Sequence, residues 1–157
     1  MRKRQISPTG QDVASSGQAW LDVDRTAFVE VTSEENGYPI ECALLGVEDR
    51  GWRASNPGAQ TIRLIFDEPQ KFRRIRLVFE ESENTRTQEF VLRWSPDTGN
   101  SFREIVRQQW NFSLPGSVRE TEDYAVELSA VTVLELIIVP DMNGGPARAS
   151  LSSLRLS

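Results

Sequence analysis

The sequence predicts an all-β fold, an antiparallel β-sandwich or jelly roll of about eight strands. Apolar and polar side chains alternate with a period of two in several short runs, as they do in strands that bury one face. Clusters of turn-forming residues separate these runs. No stretch of ten or more residues combines helical periodicity with capping residues. The length of 157 residues suits one domain with a sizeable core.

The alternation also indicates which side chains face the core. Predicted strands lie at 60–66, 72–79, 90–94 and 133–138, and a last one closes the chain at 154–156. The run at 133–138 is apolar on both faces, which favours a central strand. A turn is predicted between the first two runs, at Asp67-Glu68-Pro69. The side chains expected to point inward are Ile62, Leu64, Phe66, Leu77, Phe79, Leu92, Leu136 and Ile138.

The ends and the cysteine content bear on location. Residues 1–17 are polar and rich in Ser, Gly and Gln, so we expect a flexible leader before a folded domain at 18–157. The basic start is followed by no apolar run, and no segment has the roughly 18 apolar residues of a membrane helix. Cys42 is the only cysteine, so an intrachain disulfide is impossible. We therefore expect a cytoplasmic protein without membrane insertion, and a buried Cys42.

The charge pattern disfavours nucleic acid as a partner. The formal net charge is −5, and the middle of the chain is only mildly basic, whereas nucleic-acid binding usually needs a strongly basic face. Sixteen of the 18 basic residues are arginines, which form planar pairs with carboxylates. We therefore expect Arg–Glu pairs between neighbouring strands on the outer faces of the sheets.

The sequence lacks the residues of the common catalytic sites. It contains no histidine, which removes the usual general base and the commonest transition-metal ligand. It has no glycine-rich phosphate loop. Glu80, Glu81 and Glu83 are interpreted as a solvated charge run in a loop. We expect no catalytic residue and no cofactor, although a hydrolase that uses carboxylates alone stays open.

Several segments, in order, are similar to one family. Val31–Gly46 leads through a loop to a turn, and Gly51-Trp52 follows it. Thr61–Pro69 is similar to the next strand and turn, and Ser95–Phe102 to a hairpin. The ending Ala149–Leu156 is similar to a last strand. Together, over residues 18–157, the chain resembles discoidin domains, also called coagulation factor 5/8 type C domains, which have the galactose-binding-like jelly-roll fold.

The resemblance raises the question of a metal, because many members hold a structural Ca²⁺ at the turn after the loop. Here Leu45 stands at the Asp position, Arg50 at the Thr position and Ser153 at the Glu position. Since Ca²⁺ requires six to eight oxygen ligands, we expect no metal. We expect the Arg50 guanidinium to replace the ion and to bridge Glu48 or Asp49 to backbone carbonyls of the same loop.

The resemblance further implies a ligand site in loops at one end of the sandwich. A sugar site needs an aromatic face and planar hydrogen-bonding groups, so the candidate residues are Tyr38, Arg53, Trp110 and Asn111. Each aromatic has a structural alternative: Trp110 and Phe112 could pack at the edge of the sandwich, and Tyr38 against its loop. Trp52 is expected to fill the core.

Two functions remain open at this point. The first is a non-catalytic module that binds a glycan or another small polar ligand through these loops. The second is an intracellular protein–protein interaction domain that uses a sheet face rich in arginine, with Arg74, Arg76 and Arg93.

Overall fold

The computed structural model describes residues 20–46 and 50–157, so the expected leader at 1–17 lies outside the described residues. It is a predominantly antiparallel β-structure, and none of the helices in the described ranges is long and apolar enough to cross a membrane. Two short helices and eight strands occupy these ranges: α1 (Val23–Thr26), β1 (Ala27–Val31), α2 (Ile40–Leu44), β2 (Trp52–Pro57), β3 (Gln60–Glu80), β4 (Arg86–Ser95), β5 (Arg103–Phe112), β6 (Arg119–Val139), β7 (Arg148–Leu151) and β8 (Ser153–Leu156).

A long ribbon of two strands makes both layers of the sandwich. β3 and β6 have 21 residues each and pair antiparallel from Gln60 opposite Ile138 to Glu80 opposite Arg119. The register shifts between Ile65 and Arg74, and there the ribbon passes from one layer to the other.

The remaining strands extend the two halves of this ribbon. One layer has the order β1-β3-β6-β4-β5, and the other joins β8 to the second half of β3 and the first half of β6. β2 and β7 form a separate two-stranded sheet. The turn predicted at Asp67-Glu68-Pro69 is wrong, because these residues continue β3 through the irregular part of the ribbon.

The core lies between the layers and contains every side chain expected to face inward. None of these eight side chains belongs to a residue that is more than 6% exposed, which confirms the period-two prediction. Phe79 of one layer meets Phe90 of the other with ring centroids 5.1 Å apart. Phe66 and Phe72, on either side of the bend, are 5.4 Å apart. Cys42 is buried on α2, as expected.

The predicted Arg–Glu pairing is confirmed across four strands of the larger layer. Arg63 contacts Glu30 at 2.9 Å and Glu135 at 2.6 Å, and Arg93 also pairs with Glu135. The Glu135 side chain is 1% exposed, so two guanidiniums compensate a carboxylate that water hardly reaches. Arg93 in turn covers the Phe102 ring at 4.2 Å.

The prediction that Arg74, Arg76 and Arg93 share one arginine-rich face for protein binding is wrong. Arg74 and Arg76 alternate with buried Ile75 on the second half of β3, and Arg74 binds Asp123 at 2.6 Å on the outside of that layer. Arg93 pairs on the outer face of the other layer. The bend in the ribbon therefore separates the residues that the sequence pattern had grouped.

Trp52 opens β2 and joins the core to the first loop at the end of the sandwich. Its residue is 1% exposed, which confirms the expected core position. The indole Nε1 donates a hydrogen bond to the carbonyl of Ser33 at 3.0 Å. Gly51 precedes it with φ of 68°, and a Cβ there would press on the backbone of Leu151 and Ser152, so only glycine lets β2 approach β7.

Replacing Trp52 by alanine should reduce the free energy of unfolding by about 3–5 kcal/mol, because a large ring leaves a cavity in a packed core. Trp52→Phe should lose less, mainly the hydrogen bond to Ser33, worth about 1 kcal/mol. Urea denaturation followed by circular dichroism measures both. Phe28→Ala is the control, since Phe28 is 64% exposed. Equal losses for Trp52→Ala and Phe28→Ala contradict the core assignment.

Candidate functional site

A polar cleft of about 610 Å³ lies where both ends of the β3–β6 ribbon meet. Three chain segments supply most of the lining: the loop after β1, through Glu35, residues 80–86 from the end of β3 to the start of β4, and residues 141–148 from the loop after β6 to the start of β7. Arg53 of β2 and Ser150 of β7 complete it. The lining consists of Glu35, Arg53, Glu80, Glu81, Ser82, Glu83, Asn84, Thr85, Arg86, Asp141, Pro146, Ala147, Arg148 and Ser150.

The first segment is held by backbone hydrogen bonds to β2. The amide of Glu35 donates to the carbonyl of Arg53 at 2.8 Å, and the amide of Arg53 donates to the carbonyl of Tyr38 at 3.3 Å. The turn closes when the amide of Tyr38 donates to the carbonyl of Glu35 at 2.9 Å, with Gly37 at φ of 90°. The backbone of Arg53 thus fixes the loop that carries Glu35 and Tyr38.

At this loop, the charged side chains of Glu35, Arg53 and Arg148 come together with the ring of Tyr38. Arg53 donates to one oxygen of Glu35 at 3.2 Å, and Arg148 donates to the other at 2.8 Å. The Arg53 guanidinium also lies 4.4 Å from the centre of the Tyr38 ring. Tyr38 and Arg53, both expected at the site, are therefore brought together. The expectation that Arg53 lies in a loop is wrong, since it belongs to β2.

The second segment is organised by a nearly buried ion pair. Arg86, whose side chain is 1% exposed, binds Glu81 through Nε and the carbonyl of Pro140 through Nη1 at 2.7 Å. Burial opposes ionisation of Glu81, yet its hydrogen bonds with Arg86 and with the amides of Glu83 and Asn84 hold its pKa below the usual range. Interpreting the acidic run as fully solvated was wrong for Glu81.

The third segment is attached to the second. The amide of Met142 donates to the carbonyl of Thr87 at 2.8 Å, and the Asp141 carboxylate accepts the amide of Asn143 at 3.1 Å. With the Arg86 bond to Pro140, these contacts fix the loop without burying it. Sequence reasoning missed Arg148, Glu35 and Arg86 as cleft residues, because only the fold brings β7, β4 and the first loop to one place.

Trp110 and Asn111 lie elsewhere. Both belong to β5, so their expected loop position is wrong, and neither lines the cleft. Trp110 pairs with Gln88 across the strands and packs half-buried against the core. Asn111 accepts a hydrogen bond from the Thr87 hydroxyl at 2.7 Å. Phe112 is fully buried, in agreement with the alternative that it packs against the sandwich instead of contacting a ligand. A ligand contact of Trp110 or Asn111 stays a prediction.

A pair of carboxyl groups on β6, buried Glu120 and half-buried Glu122, contacts side chains of β4 and β5. Glu120 has no exposed surface and accepts a hydrogen bond from Gln88 at 3.4 Å. Burial and a hydrogen bond with Glu122 raise the pKa of Glu120 to about 8, so the group holds a proton at neutral pH. Glu122 also binds Gln108, which accepts the Tyr124 hydroxyl at 2.6 Å.

At the turn that resembles the calcium site of related domains, the described residues, which exclude 47–49, form no cluster of metal ligands. Arg155 donates from Nη1 to the carbonyl of Leu44 at 2.7 Å, and its Nη2 lies where a Cβ on Gly46 would be. A guanidinium therefore fills the space at this turn and uses an oxygen that a cation would need. The expected bridge from Arg50 to Glu48 or Asp49 stays a prediction; among the described contacts, its Nη1 donates to a backbone carbonyl, that of Gly37, at 3.1 Å. Glu48 and Asp49, its expected partners, lie outside the described residues.

The fold and the polar cleft at one end of the sandwich, here called the end-on cleft, define a class of β-sandwich domain. Comparison with known proteins identifies the family. The model of the F5/8 type C domain matches residues 28–149, so the chain belongs to the F5/8 type C domain family. This confirms the resemblance. No curated protein matches the chain at a significant level.

Solved structures with the same fold share little sequence with the chain. The CBM32 of AlyQ, in complex with 4,5-unsaturated mannuronic acid, is 14% identical with a TM-score of 0.64 over 88% of this chain and 98% of its own. A CBM32 from Clostridium perfringens, in complex with GalNAc-β-1,3-galactose, is 20% identical with a TM-score of 0.64 over 88% and 99%. A Ruminococcus gnavus GH29 fucosidase is 11% identical with a TM-score of 0.68 over 94% of this chain and 28% of its own.

Stability should fall between about pH 4.5 and pH 8 because of Glu120. The folded chain keeps the Glu120 proton over this range and the unfolded chain loses it, so each rise in pH favours unfolding until the folded-state pKa is passed. Glu120→Gln, which mimics the protonated acid, should remove this fall and melt above the wild type at pH 9. Melting curves at pH 6 and pH 9 measure it. A wild type that gains stability relative to Glu120→Gln over this interval contradicts the assignment.

Chelation with EDTA should leave the melting temperature unchanged, because Arg155 holds the turn from within the chain. Arg155→Met should destabilise the domain by about 1–3 kcal/mol, since it leaves the carbonyl of Leu44 without this donor. Arg119→Met is the control, because it removes an exposed ion pair with Glu80 that is worth at most about 1 kcal/mol. A melting temperature that falls in EDTA, or equal effects of the two variants, argues against this account.

Proposed function

We propose that this domain is a non-catalytic module that binds a glycan in the end-on cleft. The observation that carries the proposal is the fixed pair of guanidiniums, Arg53 and Arg148, held on either side of Glu35 at the cleft surface. Fixed planar donors and carboxylate acceptors suit sugar hydroxyls, which both donate and accept hydrogen bonds. Ser82 and Asn84 add a hydroxyl and an amide to the same lining.

The ligands of solved domains with this fold support the same class of ligand. CBM32 domains with this fold are described in complex with an unsaturated uronic acid and with GalNAc-β-1,3-galactose. Tyr38 does not line the cleft itself, but its ring contacts the lining residue Arg53, which covers one face of it. We expect the other face or the edge of the ring to contact a bound sugar.

The carboxylates of the cleft are poorly suited to catalysis. A general acid needs a pKa near the working pH, but the pKa of Glu81 is held low. Both oxygens of Glu35 are occupied by arginines, so they are not free to contact a reacting group. Glu120, whose pKa is raised, has no exposed surface and does not line the cleft. These features favour binding without turnover.

Substitution of the guanidiniums should test the proposal directly. Glycans retained on an array would be titrated calorimetrically against the wild type, Arg53→Met and Arg148→Met. Each variant should bind at least about tenfold more weakly, which corresponds to about 1.4 kcal/mol, because methionine keeps the apolar stem and removes the donors. Arg107→Met, on an exposed guanidinium paired with Glu89 outside the cleft, is the control and should keep full affinity.

Two outcomes contradict the proposed site. If no glycan binds the wild type, the function is wrong. If Arg53→Met and Arg148→Met both keep wild-type affinity and melt normally, the glycan binds elsewhere, and Trp110→Ala becomes the next variant to measure.

A further inference from the structure

We infer that Glu35 determines the charge specificity of the cleft: by occupying both surface guanidiniums it excludes acidic glycans and selects neutral ones. The inference rests on the proposed function and specifies its class of ligand. It concerns one side chain on the first loop, and it separates this domain from a relative of the same fold that binds a uronic acid.

The geometry around Glu35 is that of a bound carboxylate. One oxygen contacts Arg148 at 2.8 Å and the other contacts Arg53 at 3.2 Å, so each oxygen has its own guanidinium. Two arginines around one carboxylate are the arrangement with which proteins grip acidic ligands. Here the chain itself supplies the carboxylate, and the loop that carries it is fixed to the backbone of Arg53.

Among the described lining residues, no arginine is left without a carboxylate partner to bind an acidic sugar. The third arginine, Arg86, is bound to Glu81 and its side chain is only 1% exposed. Every arginine in the described lining therefore already has a carboxylate partner. The lining contains five carboxylates and three guanidiniums: Glu35, Glu80, Glu81, Glu83 and Asp141 against Arg53, Arg86 and Arg148.

An anionic and a neutral ligand meet this cleft differently. A uronate would either displace Glu35 and leave that carboxylate unpaired, or use the remaining N–H donors with its own charge beside Glu35 and the other carboxylates of the lining; both cost binding free energy. A neutral sugar has no such requirement, because each guanidinium has five N–H donors and the bond to Glu35 leaves others for hydroxyl groups. The same contacts that favour hydroxyl recognition therefore oppose carboxylate recognition.

The experiment compares matched trisaccharides that differ only in the carboxyl groups. The probes are the trimers of galacturonate, mannuronate and glucuronate and their carboxyl-reduced neutral forms, titrated at 50 mM and 500 mM NaCl. The wild type should bind at least one neutral trimer, and its uronate counterpart at least tenfold more weakly. Glu35→Gln should bind that uronate at least tenfold more tightly than the wild type does, and the gain should shrink at high salt.

Glu83→Gln is the matched control. Glu83 lines the same cleft and carries the same charge, but among the described residues its carboxylate has no arginine partner. Removing it changes the net charge without releasing a guanidinium, so uronate affinity should rise less than threefold. Melting temperatures of both variants establish that they fold, and the wild-type comparison is informative without either variant.

The outcomes separate the two claims. A wild type that binds a uronate as tightly as its neutral counterpart, or a Glu83→Gln variant that gains as much as Glu35→Gln, overturns the role of Glu35 and leaves glycan binding intact. A folded Glu35→Gln that gains no uronate affinity does the same. If no trimer binds any of the three proteins and the array also retains none, the proposed function fails, and the inference fails with it.

Discussion

The bend in the β3–β6 ribbon is the constraint on which the rest of the structure depends. Because β3 pairs with β6 along nearly its whole length and the ribbon then folds on itself, both of its ends lie at the same end of the sandwich. The inner faces of the two halves meet as the core, where Phe79 contacts Phe90. The segments that follow β3 and β6 leave the ribbon there and form most of the cleft, and the loop after β1 and Arg53 of β2 complete it. Core and site therefore follow from one geometric fact.

Much of the fold could be predicted from the sequence, and the reason is the period of two. Ile62, Leu77 and Ile138 were assigned inward because alternation fixes which face of a strand is apolar, whatever its partners. The pattern carries no information on where a strand bends, so Asp67-Glu68-Pro69 was taken for a turn. It also could not show that Arg93 faces away from Arg74, because that depends on which layer each half of the ribbon joins.

The candidate site could be predicted only in part. The sequence indicates Tyr38 and Arg53 because they flank a turn and a glycine-tryptophan pair that are visible in the chain. The structure brings the two side chains together, with only Arg53 in the cleft lining, and a ligand contact of either stays a prediction. Glu35 and Arg148 come from opposite ends of the sequence, and nothing local to either indicates the other. Trp110 was misplaced because an aromatic residue beside amides suits a binding loop, but the same composition also suits the inner face of an edge strand that meets Gln88 and Glu120.

The ribbon has a consequence for how the chain folds. Its pairs join residues as distant as Gln60 and Ile138, and the β4–β5 hairpin is inserted between them. A high share of contacts between distant residues slows folding, because the entropy of closing a long loop is lost before any pair forms. The β4–β5 hairpin closes locally and brings Arg86 near Phe112, so it can form early. Because the carbonyl of Pro140 can reach Arg86 only once β6 pairs with β4, we expect the cleft to be among the last parts of the molecule to be completed.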